Sequence, residues 1–277
     1  MAINKRQIVK DYEEAFGRNA AFPIAFWHSN TPIAEPEKTG GCFIPVLEDA
    51  RCGYPVSLDA ETMLCGGGKC YCGLAPLPAY VPTFVSEKEH YKASAELVEK
   101  AISHMDIHVS PYKYINFQRL DLMDDGIDYY GVLIFASPDV LSGLVSWAYY
   151  DNASQNAVAV PWGSGCSATI RAVIRENELM GRQCFIGFFD PSVRPHVNKN
   201  ELMFAIPKSR LEEMAEYIRE TCLFKGKAWP KVRENKPGIT MSDIEAIVVI
   251  VITAWIGKHV LKGIFGFHSR SEYRRDR

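Results

Sequence analysis

With 277 residues, 47% of them hydrophobic and 23% charged, the chain is long enough to bury a sizeable core without covalent staples. A formal net charge of -2 leaves no basic footprint for nucleic acid, so no nucleic-acid partner is expected. Basic residues open "MAINKRQIVKDYEEAFGRNAAF" without an apolar stretch of signal-peptide length behind them; the expected location is cytoplasmic, where eight cysteines read as ligands, nucleophiles or packing rather than disulfides.

In chain order, residues 3–18 read as a polar helix with Ile8, Tyr12, Ala15 and Phe16 on one face. Residues 22–82 are rich in Pro, Gly and Cys and read as short strands, among them "PIAFWH" and "CFIPVL", joined by turns. A helix follows through Met105, with Ser86 as its N-cap and Glu89 at the capping-box position. Then come strands in "YKYINFQRL" and "DYYGVLIFAS", a helix opened by Pro138, a strand in "NAVAVP" and a helix in "GCSATIRAVIREN". Strands "RQCFIGFF" and "ELMFAIP" and a helix in "KSRLEEMAEYIRETC" close the series. This order predicts an α+β or α/β fold, a mixed sheet with flanking helices on which the cysteine-rich segment packs.

One domain is expected over 1–236, with a cysteine-rich part (22–82) and a regular part (86–233), followed by a hydrophobic tail over 237–277. The tail's apolar run, Ala246 to Ile256, is shorter than the roughly 20 residues needed to cross a bilayer. Three readings compete for it: a core element, membrane association through 244–267, and a contact in a homo-oligomer.

The stretch "LCGGGKCYCG", residues 64–73, concentrates the chemistry. Its contiguous glycines do not match a phosphate loop, Cys70 stands where a Ser or Thr would follow Lys69, and Pro76 and Pro78 argue against a receiving helix; no nucleotide is expected. Cys65, Cys70 and Cys72 have C-x4-C-x-C spacing, which is neither a zinc-knuckle nor a ferredoxin pattern by itself. Cys42 in "GGCFIP" and Cys166 in "GSGCSA" also sit in glycine-rich turns, where backbone amides can reach sulfur. Cys166 stands at the start of a predicted helix, whose dipole favours a thiolate. Cys184 reads equally as ligand or packing, and Cys52 and Cys222 as buried packing. His104 and His108, four apart, read as the end of a surface helix before a metal pair. Trp27 and His28 are candidate pocket residues, Gly66 and Gly67 offer close backbone approach to a ligand, and Arg194 could hold a carboxylate or phosphate.

From Pro23 to about Arg233 the ordered landmarks "PIAFWH", "GCFIPVLEDARCGYPVSL", "LCGGGKCYCGL", "YYGVLIFASPDVLSGLVSWAYY", "GSGCSATIRAVI" and "ELMFAIPKSRLEEM" resemble the archaeal and bacterial family known as domain of unknown function 169, or ArCR. The resemblance implies emphasis on Cys42, Cys65 and Cys166, with Arg194 and Glu201 at polar landmarks, and an anaerobic setting. It carries no activity; Cys70 and Cys72 look like additions to the pattern.

The leading expectation is a cysteine-rich protein of anaerobic metabolism holding a metal centre, an iron–sulfur cluster ahead of zinc, for electron transfer or Lewis-acid chemistry. Cys42, Cys65 and Cys166 would be the core thiolates, with the fourth from Cys70, Cys72 or Cys184. Two alternatives stand beside it: a metal-free module that binds a small molecule or cofactor, and a thiol-dependent enzyme using Cys166 or Cys65. The expected partner is a small molecule or a redox protein.

Overall fold

The computed structural model describes residues 4–17 and 20–234. Its elements are α1 (Lys5–Phe16), β1 (Ile24–Ser29), α2 (Leu47–Cys52), β2 (Val56–Asp59), α3 (Gly66–Tyr71), α4 (Val81–Thr83), α5 (Ala95–Ser103), β3 (Tyr114–Arg119) and β4 (Gly131–Ala136). They continue with α6 (Pro138–Tyr149), β5 (Val158–Ala159), α7 (Ala172–Glu178), β6 (Cys184–Gly187), β7 (Leu202–Pro207), α8 (Lys208–Tyr217), α9 (Cys222–Lys225) and α10 (Trp229–Arg233). Seven strands form one sheet in the order β2-β3-β1-β4-β7-β6-β5, antiparallel except for the β5–β6 pair. A mixed sheet flanked by helices is the expected α+β class.

The sheet has two apolar faces because its strands alternate side chains with period two. On β1, Ala25 and Trp27 join the first face and Ile24 and Phe26 the second; on β4, Val132, Ile134 and Ala136 oppose Leu133 and Phe135. Central β4 is buried throughout. At its start Gly131 is obligatory, since a Cβ there would lie 2.3 Å from the Ile206 carbonyl oxygen.

Regular helices cover the first face: α1, α6, α8, α9 and α10 bring Tyr12, Phe16, Leu144, Trp147, Met214 and Trp229 onto it. The indole N–H groups are satisfied, Trp147 donating to the Met214 carbonyl at 2.7 Å and Trp229 to that of Ala15 at 2.8 Å. Shorter and less regular pieces cover the second face, namely α2, α3, the 42–46 turn and the helix that begins at Gly165. That last helix passes through a π turn at Ser167–Arg171 before α7; such bulges add a residue to a turn and recur at functional sites.

Three local expectations are corrected. "CFIPVL" is not a strand: Pro45 lacks an amide and presets φ, so Ile44–Val46 form a 3-10 turn that opens α2. The helix expected from Ser86 starts at Ala95 instead, capped by Ser94, whose hydroxyl accepts from the Leu97 amide. Ser86 lies within a π turn over Phe84–Lys88 and donates back to the Pro82 carbonyl, and His90 breaks the chain with φ +53°. The glycines of "LCGGGKCYCG" do form a helix, the short α3, which closes before the prolines are reached.

The compact unit of the described residues runs to Arg233. The readings offered for the hydrophobic tail lie outside the described residues, among which no helix is long and apolar enough to cross a membrane.

Candidate metal centre

The second face gathers cysteines from three distant segments. Cys65 is the N-cap of α3, with extended φ and ψ, and its Sγ accepts from the Gly68 amide at 3.3 Å. Cys72 ends the same helix and is fully buried. Cys42 reaches the same layer from the turn before Phe43, half-buried, with the Ile44 amide against its sulfur. Cys166 enters from the first turn of the 165–178 helix, and Ser164 Oγ lies 3.4 Å from its sulfur. Three of the four sulfurs therefore have a hydrogen-bond donor at hand, the environment that stabilises thiolate.

Burial opposes this. It pushes the Cys166 thiol up to about 12, with the charges of Cys65, Cys42 and Asp190 adding to the rise and Ser164 opposing it. Cys72 is raised well above its ordinary value by burial first and then by Cys166, Cys65, Cys70 and Cys42. Burial likewise raises Cys42. The helix start expected to favour a Cys166 thiolate is outweighed by desolvation, which works against a free nucleophile at that position. Cys72 and Cys166 belong to one apolar cluster with Cys42 packed against it, and Cys65 caps the helix that ends at Cys72.

Two further groups belong to this neighbourhood. His28, on the second-face side of β1, donates from Nε2 to the Cys72 carbonyl at 2.7 Å, because that oxygen can only accept; Nδ1 then accepts from the Tyr130 hydroxyl at 3.0 Å. Burial lowers the His28 pKa, so the imidazole is neutral and acts as a strut under Cys72. Asp190 is buried, and its charge acts on Cys42 and Cys166. Its Oδ1 accepts from the Ser192 hydroxyl and the Val193 amide, whereas Oδ2 is buried with no hydrogen-bond partner. Phe188, two residues earlier, has φ +74°, a left-handed conformation that a bulky residue seldom adopts. The turn it makes at the end of β6 carries the chain from the exposed Phe189 to the inward Asp190.

Other expected site residues are placed elsewhere. Cys184 lies on the first face, its sulfur 3.9 Å from Met214 Sδ, so the sheet separates it from the other thiols. Trp27 is also on the first face, because strand alternation sends it opposite to His28. Cys70 is buried on α3 with Arg171 as its charged neighbour, and burial pushes it up to about 11. Arg194 is engaged by backbone: its guanidinium donates to the carbonyls of Phe188, Asn198, Lys199 and Glu201, pinning the 188–201 loop. Glu201 pairs with Arg51 at 3.2 Å. Gly66 is roofed by Pro78 and Tyr80, with a Cβ there 2.9 Å from Pro78 Cγ, while Gly67 meets only Tyr71 at 3.7 Å. Cys52 and Cys222 are exposed rather than buried. His104 caps the end of α5 and His108 lies beyond it, 3.1 Å from Glu178, so the two do not share a helix face.

Asp190 was missed in sequence because "FFDPSVR" reads as an ordinary turn. Its only local signal is an acidic residue directly after an apolar strand.

The fold and this layer define the class: an α+β protein with a cysteine-lined face on a seven-stranded sheet. A family model described as uncharacterised ArCR, domain of unknown function 169, matches residues 21–217, and the chain belongs to that family. No curated protein and no solved structure matches it.

Proposed function

We propose that the second face holds a metal centre, an iron–sulfur cluster, with Cys42, Cys65, Cys72 and Cys166 as its thiolates. The observation that carries this reading is that Cys42, Cys72 and Cys166, from three segments, join one apolar layer, with Cys65 capping the helix that ends at Cys72, beside a buried Asp190 whose Oδ2 has no partner. A buried acceptor without a donor is costly, and a cation held among the thiols would relieve it. Among the described residues no three His, Cys, Asp or Glu side chains stand close enough together to hold a metal ion, so the thiols would have to draw together around the centre.

Such a cluster would supply electron transfer when four cysteines ligate it, or a Lewis acid if one iron stays open. The chain's own part would be to donate amide hydrogen bonds from Gly68 and Ile44, to hold Cys72 through His28, and to exclude water with Phe43, Phe117 and Phe188. Of the candidates for the fourth ligand, Cys72 fits best: Cys184 is across the sheet and Cys70 neighbours Arg171.

Protein purified without exposure to air should be brown, contain iron and acid-labile sulfide, and lose its visible absorption on reduction. Colourless protein with background iron and sulfide would overturn the proposal.

A further inference from the structure

The helix that carries Cys166 has a second face. Cys166, Ile170, Val173 and Ile174 point into the core layer, whereas Ser167, Arg171 and Arg175 line a cleft of about 280 Å³ on the other side. Trp162 forms part of its wall and is nearly half exposed, its indole steadied edge-on by Tyr91 with ring centroids 6.1 Å apart. No cysteine lines this cleft, so it is separate from the thiol layer.

Arg171 is 98% buried, an unusual place for a cation, and only part of it is satisfied. Nε donates to the Met105 carbonyl at 3.1 Å; Nη2 donates to the Asp106 carbonyl at 2.7 Å and pairs with Glu178 at 3.0 Å. Nη1 has no hydrogen-bond partner among the described residues, and the side chain belongs to the cleft wall. Arg175, one turn further along the same helix, is exposed and has no ion-pair partner among the described residues. The carboxylate on the wall, Glu176, accepts from the Gln183 amide at 2.9 Å. Two guanidiniums with free donors beside a propped aromatic plane make a recognisable combination: charge-assisted hydrogen bonds for an oxyanion and a stacking surface for a flat apolar body.

We propose that this cleft binds a small organic oxyanion, a carboxylate or a phosphate ester, with its anionic group on Arg171 Nη1 and Arg175 and its apolar body on Trp162. The volume limits the ligand to a small metabolite rather than a dinucleotide.

Calorimetric titration of the full-length protein with benzoate, phenyl phosphate and the neutral benzyl alcohol tests this. At least one of the two anions should bind saturably at millimolar concentration, tenfold or more tightly than benzyl alcohol; which anion binds distinguishes a carboxylate site from a phosphate site. Arg175→Glu should weaken the anion tenfold or more and leave benzyl alcohol unchanged. Trp162→Ala should weaken the anion as well. Both residues are exposed, so circular dichroism should show the variants folded. Absence of saturable binding by either anion, equal binding of benzyl alcohol, or an Arg175→Glu protein that binds as before would overturn the proposal. Because no cysteine is involved, the outcome is independent of iron content.

Discussion

The two faces of the sheet bury similar apolar side chains, one arginine each and cysteines on both, yet they solve the polar problem differently. On the first face Arg210 is wholly buried and meets two carboxylates: it pairs with Asp151 through both Nη atoms and with Glu213 at 2.9 Å, Nη2 also donates to the Ala148 carbonyl, and its Nε is left buried without a partner. On the second face Arg171 has one carboxylate and an open Nη1, and Asp190 has an unpartnered oxygen. The helices follow suit. Those on the first face include the uninterrupted twelve-residue α1 and α6, whereas the second has six-residue helices, a 165–178 helix interrupted by a π turn, and a left-handed Phe188. Among the described residues each face keeps one buried polar atom without a partner, but the first encloses its arginine between two carboxylates and aromatic packing, whereas the second adds a half-paired arginine, backbone strain and several thiols, which a ligand would complete.

The comparison, and with it the proposed metal centre, breaks if first-face damage lowers the iron content or second-face damage does not. Trp147→Ala should be the largest effect on stability, about 3–5 kcal/mol as a shift in the urea midpoint, while iron per folded molecule stays at the native level. Asp151→Ala leaves buried Arg210 short of a partner and should cost about 3 kcal/mol by the same measurement, again with iron unchanged.

Cys72→Ala and Cys166→Ala should each reduce iron and sulfide to background in anaerobically prepared protein. Cys184→Ala, across the sheet, should retain both at a cost of about 1 kcal/mol. Loss of iron from the Cys184 variant would sink the division of faces.

The metal-free protein should also respond to pH in a defined sense. Cys166 and Cys184 are raised to about 12 in the fold from an ordinary value of 9.0. Above about pH 9 the unfolded chain releases thiol protons that the folded chain retains, so stability falls as pH rises and is fully present below that point. Binding of metal displaces the same protons, so affinity at the thiol layer should rise with pH. Urea midpoints and metal titrations at neutral and alkaline pH measure the two opposing trends.

The smallest effects belong to Cys52→Ser and Cys222→Ser, within about 0.5 kcal/mol, because both side chains are exposed. These two should also be the first thiols alkylated at neutral pH, read by peptide mass mapping, with Cys72, Cys166 and Cys184 protected.

Much of the fold was legible because its signals are local. Asn4 caps α1, Ser137 and Pro138 open α6, and the apolar runs of β4 and β7 announce buried strands. The errors came where local signals conflict. Pro45 turned an apolar run into a helical turn, and the serine at 94 outcompeted the one at 86 as a cap because the chain between them breaks at His90. For the site, glycine-rich turns mark Cys42, Cys65 and Cys166 in the sequence, whereas Trp27 and Cys184 share with them only their chemistry, since the sequence does not say which side of the sheet they face. Arg194 looked free because its partners are backbone carbonyls that carry no side-chain signature.

By itself the sequence determined the elements, their order and the residue types able to bind soft metals, since these depend on spacing within one segment. Only the tertiary structure decided which thiols share a layer, because a one-residue difference along a strand sends a side chain through the sheet to the other side. It also decided their protonation, because desolvation depends on what segments far away in the chain place over each sulfur.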